Sequence, residues 1–85
     1  MSENRKPSAE ILWRLAANLR SLRKARGYTQ LELSRRSGIP NRYISNIEQE
    51  LKNISLANRE ALAVGLDCFE EDLLRRIPKV RPPQA

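Results

Sequence analysis

The chain of 85 residues predicts an all-α fold, a compact arrangement of five helices. Three observations carry that reading. Apolar residues recur at helical spacing, serine or threonine precedes several of those stretches, and glycine or proline closes them. Helix one should start at Ser8 as its cap and run to Arg26, with Ile11, Leu12, Leu15, Leu19 and Leu22 as its stripe; Gly27 ends it. Thr29 and Glu32 have the spacing of a capping box, so helix two begins there and covers residues 30–37. Gly38 sits where the chain leaves helix two, in a left-handed conformation that costs a residue with a Cβ about 1 kcal/mol or more. Ile39 precedes proline and is pushed to an extended conformation, and Pro40 then opens helix three, residues 40–49, with a pre-set φ. Ser55 can cap helix four, whose Leu56, Leu62, Ala63 and Leu66 form the buried stripe. Helix five should start near Phe69: Glu70, Glu71 and Asp72 favour the positive end of its dipole, Arg75 and Arg76 the negative end, and Pro78 stops it. The folded domain is therefore residues 8–77, between a flexible polar arm, 1–7, and a flexible tail, 78–85.

Residues 29–48 hold the most information. They read as two short helices joined by a tight turn, with Leu33 and Ile39 as apolar anchors and Ser34 small enough for close approach. In helix three, Ile44 and Ile47 point inward while Asn41, Arg42, Ser45 and Asn46 face out. A helix with polar side chains on its outer face, held off its domain by a partner helix, fits the DNA major groove.

Composition narrows the function. One small domain with 40% hydrophobic residues can bury a modest core. No apolar run is long enough to cross a bilayer, and no signal peptide is visible at the start, so neither a membrane partner nor export is expected. With no histidine and the single Cys68, zinc sites, His-based triads and internal disulfides are excluded. A reducing cytoplasm is the expected compartment, and neither catalysis nor a cofactor is expected. The net charge of +6 is unevenly spread: residues 1–47 carry ten Lys/Arg against Glu3, Glu10 and Glu32, whereas residues 48–77 have an excess of acids. A basic half suggests a surface that meets a polyanion; alone it could equally be a solvated helical surface.

The ordered set Thr29-Gln30, Leu33-Ser34, Gly38-Ile39, Tyr43-Ile44-Ser45 and Ile47-Glu48 resembles the helix-turn-helix of the lambda-repressor/Cro-like (Xre) regulators. The similarity extends to Leu15, Leu19 and Leu22-Arg23 upstream and to Leu62-Ala63 and Leu66 downstream. Asn53-Ile54-Ser55-Leu56 looks most like the small controller proteins of restriction–modification systems. The resemblance implies double-stranded DNA as the partner, with Asn41, Arg42 and Asn46 against base edges and Ser45 reaching a phosphate or a thymine methyl. Arg suits guanine and Asn adenine; the alternative is that the two asparagines only solvate the helix. It further implies phosphate contacts from Gln30 and Tyr43, with Arg35 and Arg36 as further candidates, and a largely buried structural ion pair between Arg23 and Glu48. Tyr43 could also be a simple half-buried tyrosine. The sequence departs from the pattern at three places. Gln49-Glu50 replace the usual Arg-Gly, Arg59 stands where helix four normally buries a leucine, and Asp67 replaces a glycine.

Leu66, Phe69, Leu73, Leu74 and Ile77 are more apolar surface than a short terminal helix can bury, which points to a homodimer interface; alternatively they only complete the monomer core. Trp13 lies off the helix-one stripe, and its place is left open. The leading function is thus a homodimeric, sequence-specific transcription regulator on an inverted-repeat operator. The alternative is an antitoxin that binds a toxin and regulates itself through DNA; it would need a toxin-wrapping segment, and the eight residues after Ile77 are short for one. An adaptor without DNA binding would favour apolar anchors on helix three. No ligand domain follows the helix-turn-helix, so no small-molecule ligand is expected.

Overall fold

A computed structural model describes residues 8–77. The expected arm at 1–7 and tail at 78–85, with Pro78, lie outside the described residues. The elements are α1 (Ala9–Ala25), α2 (Gln30–Ser37), α3 (Asn41–Glu48), α4 (Leu56–Leu66) and a 3₁₀ helix (Glu70–Leu74).

Helix starts follow from short polar caps. Ser8, Thr29 and Ser55 are extended, and each side chain accepts the backbone N–H three residues on: Ile11, Glu32 and Asn58 respectively. At Thr29 the Glu32 carboxylate pairs with Arg36 at 3.1 Å. Pro40 is the cap of α3 rather than its first helical residue, and it offers no side-chain acceptor.

Left-handed residues end all four α-helices. Past α1, the Gly27 and Tyr28 N–H groups donate to the Lys24 and Arg23 carbonyls, with Gly27 at φ 74°. Past α3, Glu50 and Leu51 donate to Ile47 and Asn46, and past α4, Asp67 and Cys68 donate to Val64 and Ala63. These three are Schellman motifs; α2 closes with the single bond from Gly38 to Ser34. Two of the four left-handed positions are not glycine: Glu50 at φ 63° and Asp67 at φ 56°.

The core is Leu15, Leu19, Leu33, Ile39, Ile44, Ile47, Leu62, Ala63, Leu66 and Leu73. α2 packs on both α3 and α4, while α1 packs on α3 and the 3₁₀ helix. Gly65 is what lets α4 approach α2: a Cβ there would lie 2.9 Å from the Ser37 Cβ and 3.1 Å from its backbone. Leu56, expected in the buried stripe of α4, is exposed: it is the first residue of the helix, and the buried positions begin only at Leu62. Ile11, Leu12, Trp13 and Leu22 are half-buried.

A five-helix count is not what the chain adopts among the described residues: there are four α-helices, and the last element is a 3₁₀ helix of five residues. Its backbone groups are claimed by side chains. The Asn18 amide donates to the Leu73 and Arg75 carbonyls at 3.1 and 2.9 Å, and the Asp72 carboxylate accepts the Phe69 N–H at 3.0 Å and pairs with Arg75. Arg75 is then extended, so no α-helical ladder propagates. The tight turn also changes which leucines are available outside. Leu66 and Leu73, assigned to a dimer interface on sequence grounds, are fully buried in the monomer; Phe69 is exposed, and Leu74 and Ile77 are half-buried.

Candidate nucleic-acid interface

α3 has one apolar face. Ile44 and Ile47 are fully buried beside Leu33 and Ile39, and Gly38 lets the chain turn sharply between α2 and α3. The turn is tightened by the Ser34 hydroxyl, which donates to the Ile39 carbonyl at 2.6 Å, so the small residue at 34 also locks the turn. The opposite face holds Asn41, Arg42, Ser45 and Asn46, which adjoin as 41 with 45 and 42 with 46 on successive turns. Asn41 and Arg42 are exposed, and neither side chain has an ion pair or hydrogen bond among the described residues. Ser45 is half-buried, and its hydroxyl accepts from the Gln49 amide at 3.0 Å. Asn46 is half-buried, with its backbone carbonyl taken by Leu51. The four residues share a face, but Asn41 and Arg42 are its most available members.

Glu48, at the end of α3, is 3% exposed and is the hub of a three-helix network. Arg23 of α1 grips it as a fork, Nε to Oε2 at 2.7 Å and Nη2 to Oε1 at 3.0 Å, while the Arg23 Nη1 donates to the Tyr28 carbonyl at 2.8 Å. Arg20 donates to the Glu48 carbonyl at 3.1 Å and lies 3.6 Å from its carboxylate. Gln30, first residue of α2, donates from Nε2 to Oε1 at 3.1 Å. Burial alone would raise the Glu48 carboxyl, but the hydrogen bonds from Arg23 and Gln30 and the charges of Arg23 and Arg20 outweigh it and hold the group below the ordinary glutamate value. The hydrogen bond to Glu48 raises Arg23 in turn, against its own burial. A forked, multiply satisfied carboxylate of this kind fixes α1, α2 and α3 relative to one another.

The expected phosphate contacts differ in availability. One of the two Gln30 amide N–H groups is used by Glu48, and the other has no partner among the described residues. Tyr43 is half-buried, its hydroxyl donates to the Asn53 carbonyl at 3.3 Å, and the Lys52 ammonium stands 5.2 Å from its ring centre. Arg36 is held by Glu32 and stacks 4.2 Å over Tyr28. Arg35 is exposed, with no partner among the described residues. Sequence reasoning overlooked Lys52; its spacing from Tyr43 gives no helical signal, since the intervening turn sets the contact. Arg26, just past α1, also ties down the end of α4: its guanidinium donates to the Leu66 carbonyl at 2.6 Å and that of Asp67 at 3.0 Å.

A second surface lies around α4 and the 3₁₀ helix. Val64 and Phe69 are 72% and 73% exposed and, with Leu74, line an open groove of about 780 Å³. Arg59 reaches along it to Glu70 at 3.4 Å, which is how this departure from the family pattern is accommodated. Among the described residues no group of His, Cys, Asp or Glu could hold a metal, and no helix is long and apolar enough to cross a membrane. Burial, with the charge of Asp72, pushes the Cys68 thiol up.

The HTH_3 model, described as helix-turn-helix, matches residues 19–73. A Neisseria meningitidis protein described as a hypothetical transcription factor is 38% identical over 60 residues, covering 71% of this chain; the match spans 57% of that relative's length. Among solved structures, the restriction-modification controller protein C.AhdI from Aeromonas hydrophila is 35% identical with a TM-score of 0.71, covering 73% of this chain and 94% of that one. The restriction-modification controller protein C.Esp1396I is 27% identical with a TM-score of 0.74, covering 84% of this chain and 96% of that one.

Proposed function

We propose that this chain, which belongs to the HTH_3 helix-turn-helix family, is a sequence-specific double-stranded-DNA-binding transcription regulator that acts in the cytoplasm as a homodimer on an inverted repeat. The observation that carries the reading is the division of α3: Ile44 and Ile47 fully buried, Asn41 and Arg42 exposed and uncommitted at its first turn. In this reading α3 enters the major groove. Arg42 pairs with guanine O6 and N7, Asn41 and Asn46 contact adenine, and Ser45 makes a shorter contact. Gln30 and Arg35 hold backbone phosphates from α2, Lys52 does so from the loop after α3, and Tyr43 and Arg36 act chiefly by packing. The Arg23–Glu48 network sets the angle of α3 against Gln30. The two-fold seam is Phe69, Leu74 and Ile77, joined by Val64, which sequence reasoning left out. The likeness to controller proteins supports a role in regulating a restriction–modification system.

Binding measured for Arg42→Ala and Gln30→Ala tests these roles. Arg42→Ala should cost about 1–3 kcal/mol on the best site and relax preference at one base pair, whereas Gln30→Ala should weaken all sequences about equally. An Arg42→Ala protein with unchanged affinity and preference would remove α3 as the reader.

A further inference from the structure

Arg59 is the one cation on α4 and stands at the edge of the exposed apolar face. A guanidinium carries five donors and does not lose its charge in a protein. Within its own protomer it is poorly served: Nη2 lies 3.4 Å from Glu70, and Nε is buried with no hydrogen-bond partner. A quarter of the side chain stays open, and it lines the same groove as Val64, Phe69 and Leu74. On that groove Glu60 and Glu71 are exposed carboxylates with no ion pair among the described residues. One face therefore holds an under-served cation, two uncommitted acids and two large apolar side chains. A two-fold axis passing through such a face can set the cation of each copy near the acids of the other.

We infer that Arg59 selects the pairing partner: a carboxylate of the partner's Glu60 or the partner's Glu71 engages its guanidinium across the seam and turns it so that Nε and Nη2 close on acceptors. The inference rests on the homodimer proposed above. Val64 and Phe69 supply most of the affinity, and Arg59 supplies the choice of partner, because a copy lacking the acids leaves a partly desolvated cation unpaired. A second copy of this chain is the occupant the charges favour, since each deficit on the face is matched by a surplus on the same face.

The test is sedimentation of full-length variants, alone and mixed, with circular dichroism as the check on folding. Wild type should dimerise, and Phe69→Ala should weaken that dimer. Arg59→Glu and the double variant Glu60→Lys/Glu71→Lys should each be monomeric where wild type is dimeric, and an equal mixture should form a heterodimer. Arg59→Met should loosen the dimer at least tenfold while its circular dichroism stays that of wild type, which keeps the test open should Arg59→Glu fail to fold. Homodimers of Arg59→Met as tight as wild type, or a mixture that stays monomeric while Arg59→Glu is folded, would overturn the role of Arg59 and leave the dimer standing. A wild type that stays monomeric at every concentration would instead overturn the dimer itself, and this inference with it.

Discussion

Replacing Arg23 by methionine should change the sign of the pH dependence of stability. The substitution removes the donors at 2.7 and 3.0 Å from the Glu48 carboxylate and the one at 2.8 Å from the Tyr28 carbonyl. Only Gln30 at 3.1 Å and the half-exposed Arg20 at 3.6 Å remain for a carboxylate that is 3% exposed. Stranding a buried charge in this way costs about 3–5 kcal/mol. A domain of this size has a total stability of roughly 4–13 kcal/mol, so the loss is a large share of it. In wild type the folded Glu48 value lies below the ordinary one, so its contribution is complete above the ordinary glutamate value and is lost as pH falls through the folded value. In Arg23→Met the main opponents of burial are gone and the folded value rises. Its stability is then lost as pH rises through that raised value, so acidifying from pH 7 to pH 5 should stabilise the variant and leave wild type nearly unchanged. Urea unfolding followed by circular dichroism at several pH values reads both effects. A variant within about 1 kcal/mol of wild type at pH 7 would refute the assignment of Glu48 as a buried, Arg23-dependent carboxylate. Destabilisation by acid in parallel with wild type would refute it equally.

Three other outcomes follow from the geometry. Glu50→Gly should stabilise the protein by about 1 kcal/mol, since the left-handed position of the α3 Schellman motif carries a Cβ at φ 63°; an unchanged urea midpoint would count against strain there. Gly65→Ala should destabilise by about 1–3 kcal/mol in thermal melts despite the better helix propensity of alanine, because its Cβ would meet Ser37 at 2.9 Å. DNA affinity of the dimer should fall with salt at a slope of about −4 in log–log form, as Arg35 and Lys52 of each subunit displace counterions; a slope near zero would mean that these cations do not meet phosphate.

The parts legible in the sequence were those fixed by local chemistry. Ser8, Thr29 and Ser55 cap helices because a short side-chain oxygen next to an apolar-periodic stretch has few other uses, and Gly38 bends the chain where only its backbone does so without strain. The Arg23–Glu48 pairing was accessible only through family resemblance, since 25 residues separate the partners and no periodicity links them. What local pattern missed was set by tertiary contacts. The end of the chain has the charges of a helix, but Asn18, 55 residues away from Leu73, claims the carbonyls that a helix would need. That capture turns Leu73 inward and leaves Phe69 outside, and Val64 joins the exposed face because Gly65 faces α2. On α3 the outward pattern was legible, but the partners that limit Tyr43 and Gln30 were not, for they depend on Asn53 and Glu48, 10 and 18 residues away along the chain.

The most direct test of the central claim is selection of DNA from a random duplex pool by the purified full-length protein, repeated with Arg42→Ala. Two α3 helices related by the proposed two-fold should enrich an inverted repeat whose half-site centres lie about 34–36 Å apart, one helical turn. The Arg42→Ala pool should lose information at one symmetric pair of positions and keep the spacing. A wild-type pool with no enriched sequence, or a consensus that Arg42→Ala leaves intact at every position, would contradict the account of α3 as the element that reads DNA.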